Sequence, residues 1–186
     1  MINALILIDI QDAFIDQANA VYWGERNNPQ AERNAARLLA HWRQASGPVI
    51  FVRHLSTTPG SPLIGAGAEV QAVVAPLPGE PVLEKSANSA FIGTDLQQRL
   101  HDLSAREVTL CGLTTPHCVS TTVRMAANLG FEVTLAHDAC AAFTQNVQPA
   151  WRGGTKPSAQ AIHEAAIDPL HGEFAQALST DQVLSR

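Results

Sequence analysis

The chain has 186 residues, 46% of them hydrophobic, and 12 Lys and Arg against 17 Asp and Glu give it a net charge of −5. That length suits a single α/β domain over residues 1–186 with a sizeable core, and the acidic balance argues against the basic face that nucleic-acid binding requires. No apolar run approaches the roughly 18 residues of a membrane span, and the first, Ala4 to Ile8, is too short for a signal peptide and is followed by acids, so the expected compartment is the cytoplasm.

Asn3 to Ile8, NALILI, is a continuous apolar run ended by Asp9, which predicts a strand buried on both faces. Ala31, Ala35, Leu38, Leu39 and Trp42 recur at helical spacing, and Gly47-Pro48 stops that helix. Pro48 to Val52, PVIFV, predicts a second strand, and the turn-rich Leu55 to Gly67 a long loop. Pro81 to Leu83 begins a third strand that runs into Glu84 and Lys85. Thr94 caps a short helix to Leu100, and Val108 to Leu113 is a fourth strand. Pro116 to Asn128 reads as a helix stopped by Gly130, Phe131 to Ala136 as a fifth strand, and Lys156 to Ile167 as a further helix. Phe174 to Leu178 and Val183-Leu184 finish the chain. Alternating strands and helices predict a three-layer α/β/α fold around a mostly parallel sheet, whose active site lies beyond the carboxyl ends of the strands.

Polar groups gather at those ends: Asp9 after the first strand, Arg53 and His54 after the second, Lys85 after the third, and TTPHC after the fourth. Thr115 is a plausible N-cap with Pro116 in the first helical position, which puts Cys118 in the first turn. Free N–H groups and the positive end of the helix would there lower a thiol pKa and could hold an oxyanion. The alternative is a small apolar cysteine packed under the helix. Cys111, inside the fourth strand, reads as structural. Cys140 follows the fifth strand with nothing to activate it. An odd cysteine count without a CxxC pair argues against a disulfide framework or a structural zinc. Asp9 must be paired, hydrated or functional, or else cap the turn of QDAF. Lys85 beside it would stabilise both anions, unless it is an ordinary solvated lysine. Together the three would form a covalent catalyst: Asp9 as base, Cys118 as nucleophile, Lys85 as support, and the Thr114 and Cys118 amides as oxyanion donors.

ALILIDIQDAF, VLEKSANSAFIGTDLQQRL and VTLCGLTTPHCVSTTVRMAANLGFEVTLAHDACAAF, in this order and spacing, resemble the isochorismatase-like cysteine hydrolase superfamily. The resemblance implies an Asp-Lys-Cys triad carried by Asp9, Lys85 and Cys118, a six-stranded parallel sheet, and a cis peptide at Leu113-Thr114 that brings the Thr114 amide into the oxyanion hole. It also implies a homo-oligomer, a dimer or tetramer. Nicotinamidases of the superfamily hold a metal with an Asp-x-His pair and a further His. Here His54 follows Val52 and Arg53 and no second His follows in the loop, so no metal and no other cofactor is expected. Isochorismatases proper cleave a vinyl ether and typically lack the cysteine. The expected activity is therefore hydrolysis of a C–N bond in a small amide, carbamoyl or ureide-type substrate through a thioester-type intermediate. A vinyl-ether hydrolase, a nicotinamidase-like amidase and a non-enzymatic binding protein are the alternatives. Phe14, His54 and His117 are candidate substrate contacts, Trp23 and Phe91 further candidate walls, and WRGGT (Trp151 to Thr155) a loop that covers the site or meets a neighbouring subunit. For Phe14, Trp23 and Phe91 core packing is the favoured alternative, for His54 the alternative is a loop histidine, and for His117 an ordinary first-turn residue.

Overall fold

The computed structural model describes residues 2–186. Its centre is a six-stranded sheet in the order β3-β2-β1-β4-β5-β6. The strands are β1 (Ile2–Ile8), β2 (Val49–His54), β3 (Val82–Lys85), β4 (Ala105–Leu113), β5 (Glu132–Ala141) and β6 (Gln176–Leu178), and all neighbouring pairs are parallel. Parallel neighbours need crossovers, here made by α2 (Ala31–Gln44), α3 (Leu96–Asp102), α4 (Ser120–Asn128) and α5 (Ala159–Ile167), with short α1 (Ala20–Trp23) and α6 (Thr180–Leu184) beside them. From β1 the chain moves one way along the sheet to β2 and β3, then returns to the other side of β1 for β4, β5 and β6. Right-handed crossovers therefore put α2 on one face and α3 and α4 on the other. Apolar side chains on both faces of β1 explain its unbroken hydrophobic run, since Ala4 to Ile8 are at most 1% exposed.

Several boundaries differ from the sequence expectation. Cys140 lies inside β5, which continues past Ala136 to Ala141, instead of following it. A register shift lets this happen: Leu110 pairs with Leu135, but Gly112 pairs with Cys140. α3 begins at Leu96, because the Thr94 hydroxyl accepts from the Leu96 N–H and leaves Thr94 outside the helix. Lys156 and Pro157 also stay outside α5, which Ser158 caps through the Ala161 N–H. The segment read as one helix from Pro116 divides into a π-turn, Thr115–Val119, and α4. The final segment separates into β6 and α6, and the Ser179 hydroxyl and Gln182 side chain close a capping box on α6.

Gly112 holds the two central strands together at their carboxyl ends. Its φ is +134°, and a Cβ there would land on the Ile8 carbonyl oxygen of β1. Gly112→Ala is therefore expected to destabilise the fold by about 3 kcal/mol or more, from backbone strain plus overpacking. The measurement is the urea midpoint; an unchanged midpoint would mean that β1 and β4 can separate without cost.

Candidate active site

The order of the sheet reverses between β1 and β4, and a crevice opens there beyond the strand ends. Three strands deliver the chemistry to it. Asp9 follows β1 directly, with φ +52°. Lys85 ends β3, and Cys118 sits in the π-turn that follows β4. The Lys85 Nζ donates to Asp9 Oδ2 at 2.7 Å and to Cys118 Sγ at 3.2 Å, and lies 3.1 Å from His54 Nδ1. An ammonium has three protons, so those three acceptors use all of them, and the proton on the His54 ring belongs on Nε2. The Lys85 side chain is 0% exposed and that of Asp9 1%.

Burial pushes the Asp9 carboxyl above its usual range, and the Lys85 charge only partly offsets this. A carboxylate made more basic in this way suits proton abstraction. Burial, and then the Asp9 charge, push the Cys118 thiol up to about 12. This corrects the expectation of a thiol acidified by a helix start. Cys118 is half-buried in the π-turn and its thiol faces a carboxylate, and both effects outweigh the opposing pull of Lys85. The thiol is protonated at rest and must lose its proton during reaction. Asp9 Oδ1 is buried without a hydrogen-bond partner, so the acid retains a free acceptor.

Thr115 does not cap a helix. It is fully buried inside the π-turn, and its hydroxyl meets His163 Nδ1 of α5 at 2.8 Å. The flanking position falls to Thr114, which has extended dihedrals, and the Leu113-Thr114 peptide is cis, as the family resemblance implied. Thr122 of α4 donates its hydroxyl to the Cys118 carbonyl at 2.6 Å and accepts from the Ala90 N–H. This ties the cysteine turn to the segment that follows β3. Gln11 does the same for His54: its side-chain oxygen accepts from the His54 N–H, and its Nε2 donates to the carbonyls of His54 and Ala68. A lone Thr or Gln in a sequence carries no sign of such work, and neither residue was foreseen.

His163 is 3% exposed, and burial together with neighbouring His137 pushes its pKa down to about 4, against opposing pulls from Glu164 and Asp138. Its unfolded value is near 6.5, so between pH 6.5 and 4 the unfolded chain binds a proton that the folded one refuses. Stability must fall as pH drops through that window. His163→Gln is expected to flatten the fall, read from urea midpoints at pH 7 and pH 5; an equally steep fall in the variant would remove His163 as its source.

The cavity above Cys118 measures about 320 Å³. Phe14, Tyr22 and Trp23 form one wall, and Ser56, Thr58, Ser61 and Leu63 of the long loop another. His54, Asn88 and His117 also face it. Phe14 and Trp23 pack at 4.4 Å between ring centroids, and the Trp23 indole donates to the Ala13 carbonyl at 2.8 Å. This wall is therefore stiff. Phe14, His54, His117 and Trp23 line the cavity, whereas Phe91 lies in the main core, stacked on Phe131 at 6.1 Å. Trp151 is 85% exposed and belongs, with Pro116 and Ser120, to a separate groove. Among the described residues the 151–155 loop therefore does not line the Cys118 cavity. Burial, and then the Lys85 charge, lower the pKa of His54, whereas His117 is exposed. The His117 ring meets the Thr114 hydroxyl at 3.4 Å, so it braces the residue before the turn.

Asp9, His54 and Cys118 offer ligand atoms within 4.8 Å of one another. The Lys85 ammonium already bonds to all three. A cation at that point would have to displace another cation, and Val52 supplies no carboxylate where the Asp-x-His pattern would need one. The residues present do not fit a metal.

The parallel sheet with its site at the reversal of strand order defines an α/β enzyme, and comparison with known proteins identifies the group. The family model "Isochorismatase domain" matches residues 3–182. The isochorismatase family protein YrdC of Bacillus subtilis is 42% identical over 98% of this chain and 95% of its own. Nicotinamidase 3 of Arabidopsis thaliana is 29% identical over 98% of this chain and 87% of its own. A crystal structure of an isochorismatase-family protein from Chromobacterium violaceum superposes with a TM-score of 0.90 at 39% identity, covering 99% of this chain and 92% of that one. The chain belongs to the isochorismatase family and is a hydrolase of that family. No helix among the described residues is long and apolar enough to cross a membrane.

Proposed function

We propose that the protein hydrolyses a C–N bond in a small amide, carbamoyl or ureide-type substrate through a thioester-type intermediate on Cys118. One observation carries the reading: a thiol and a basic buried carboxylate share one ammonium at the floor of an open cavity. As Cys118 Sγ attacks the carbonyl carbon, its proton passes to Asp9. The backbone amides of Thr114 and Cys118 hold the oxyanion. Collapse of the tetrahedral species breaks the C–N bond, and the proton on Asp9 leaves with the amine. Water then adds to the thioester with Asp9 as base, which releases the acid and returns the proton to sulfur. Lys85 keeps Asp9 oriented and offsets the charge that moves between oxygen and sulfur. The amidase activity named for the Arabidopsis relative supports the bond class.

The test is intact-mass analysis during turnover of a panel of small amides and ureides. An acyl or carbamoyl adduct on Cys118 that decays as ammonia is released is the expected result. Ammonia release with Cys118 unmodified under quench would overturn the covalent route; no amide or ureide turned over, with a vinyl ether cleaved in their place, would favour vinyl-ether chemistry, in which Asp9 acts as a proton donor and no thiol is needed.

A further inference from the structure

Resting on that reading, we infer that the site takes uncharged amides and ureides and rejects substrates that carry a carboxylate beside the scissile bond. The inference rests on where the positive charge lies. Among the described residues the cavity wall contains no Arg or Lys. The adjacent cation, Lys85, is fully buried and donates its protons to Asp9, His54 and Cys118, so none remains for a substrate. Arg53, next to His54 on β2, pairs instead with Glu69 and Glu84. Arg26 packs over Phe143, which stacks on Phe14 of the aromatic wall, and both its terminal nitrogens are held by Glu32.

The two imidazoles that face the cavity do not replace the missing cation. His54 sits against an ammonium, which with its burial favours the neutral ring, and His117 is exposed, with its ring turned to the Thr114 hydroxyl. What remains for a ligand is the five hydroxyls of Tyr22, Ser56, Thr58, Ser61 and Thr114, the Asn88 amide and aromatic surface. These can hydrogen-bond an uncharged polar group or stack on a flat one. A carboxylate would lose its water there without gaining a counter-charge, and would sit near the Asp9 carboxylate. Isochorismate, a dicarboxylate, meets this obstacle twice. A flat amide meets none, and 320 Å³ is at the small end of ligand cavities.

The experiment uses matched pairs in which a carboxylate replaces one primary amide, with rates counted per scissile group: terephthalamide against terephthalamate, malonamide against malonamate, and N-carbamoylglycinamide against N-carbamoylglycine. Ammonia release is expected to give a kcat/KM about 100-fold or more higher for the neutral member of each pair that is turned over. Equal rates, or faster release from the acid, would overturn the inference while leaving the amidohydrolase reading intact. A second arm does not depend on turnover. Alkylation of Cys118 by iodoacetamide and by iodoacetate is compared with the same ratio for glutathione, and peptide mass mapping assigns the label; Cys111 and Cys140 are 0% exposed. The neutral reagent is expected to be favoured by a further tenfold or so at Cys118. A ratio at or below that of glutathione would show that the cavity attracts anions and would overturn the inference. Selective alkylation with no pair hydrolysed would overturn the amidohydrolase reading, and the substrate class with it.

Discussion

Cys118→Ala is expected to remove hydrolysis of every accepted amide, a loss of at least about 10⁴-fold in kcat, with the fold intact. The fold should survive because the change deletes one sulfur at the edge of a cavity, and the clamps on the turn do not involve it: Thr122 bonds the Cys118 backbone carbonyl and Thr115 bonds His163. Cys118→Ser should recover little, since a hydroxyl is a poorer nucleophile and a harder group for Asp9 to deprotonate. The measurement is single-turnover ammonia release beside a urea midpoint. Retained turnover in the alanine variant would end the covalent mechanism. A lost fold would mean that the thiol packs more than it reacts.

The second expectation concerns the ion pair below the thiol. Lys85→Met should cost both stability and activity, because it strands the Asp9 carboxylate in a fully buried position, at about 3–5 kcal/mol. Adding Asp9→Asn removes the stranded charge, so the double variant should regain most of that stability. It should regain no activity, because neither the base nor the ammonium is present. The two readouts separate a structural ion pair from a catalytic one. If the double variant is as unstable as Lys85→Met alone, the cost lies in lost packing. If it regains turnover, Asp9 is not the base.

Asp9 and the TTPHC segment were legible in the sequence because each follows an apolar run whose length and composition mark a buried parallel strand, NALILI and VTLCGL. Lys85 follows a shorter run, PVL and Glu84, that forms an edge strand of alternating exposure. Phe14, His54 and His117 could be named for similar reasons, as aromatic or ring residues within reach of those ends, and each does face the cavity. Phe91 lies in the core, stacked on Phe131, which is the favoured alternative for it. Gln11 and Thr122 were invisible because their roles exist only through partners 43 and 32 residues away.

The chain by itself therefore determined the alternation of strands and helices and the group of residues at one rim of the sheet, Asp9, Lys85 and Cys118 among them, since burial pattern and residue type are properties of local sequence. Tertiary structure decided the protonation states and the charge of the cavity. A helix start predicted an acidified thiol, but the folded environment buries Cys118 beside Asp9 and raises it to about 12. A lysine at a strand end could have reached a substrate, but His54, brought alongside by strand pairing, takes its third proton. Electrostatic energies depend on distance and desolvation, and both are set only when β1, β2, β3 and the turn after β4 meet.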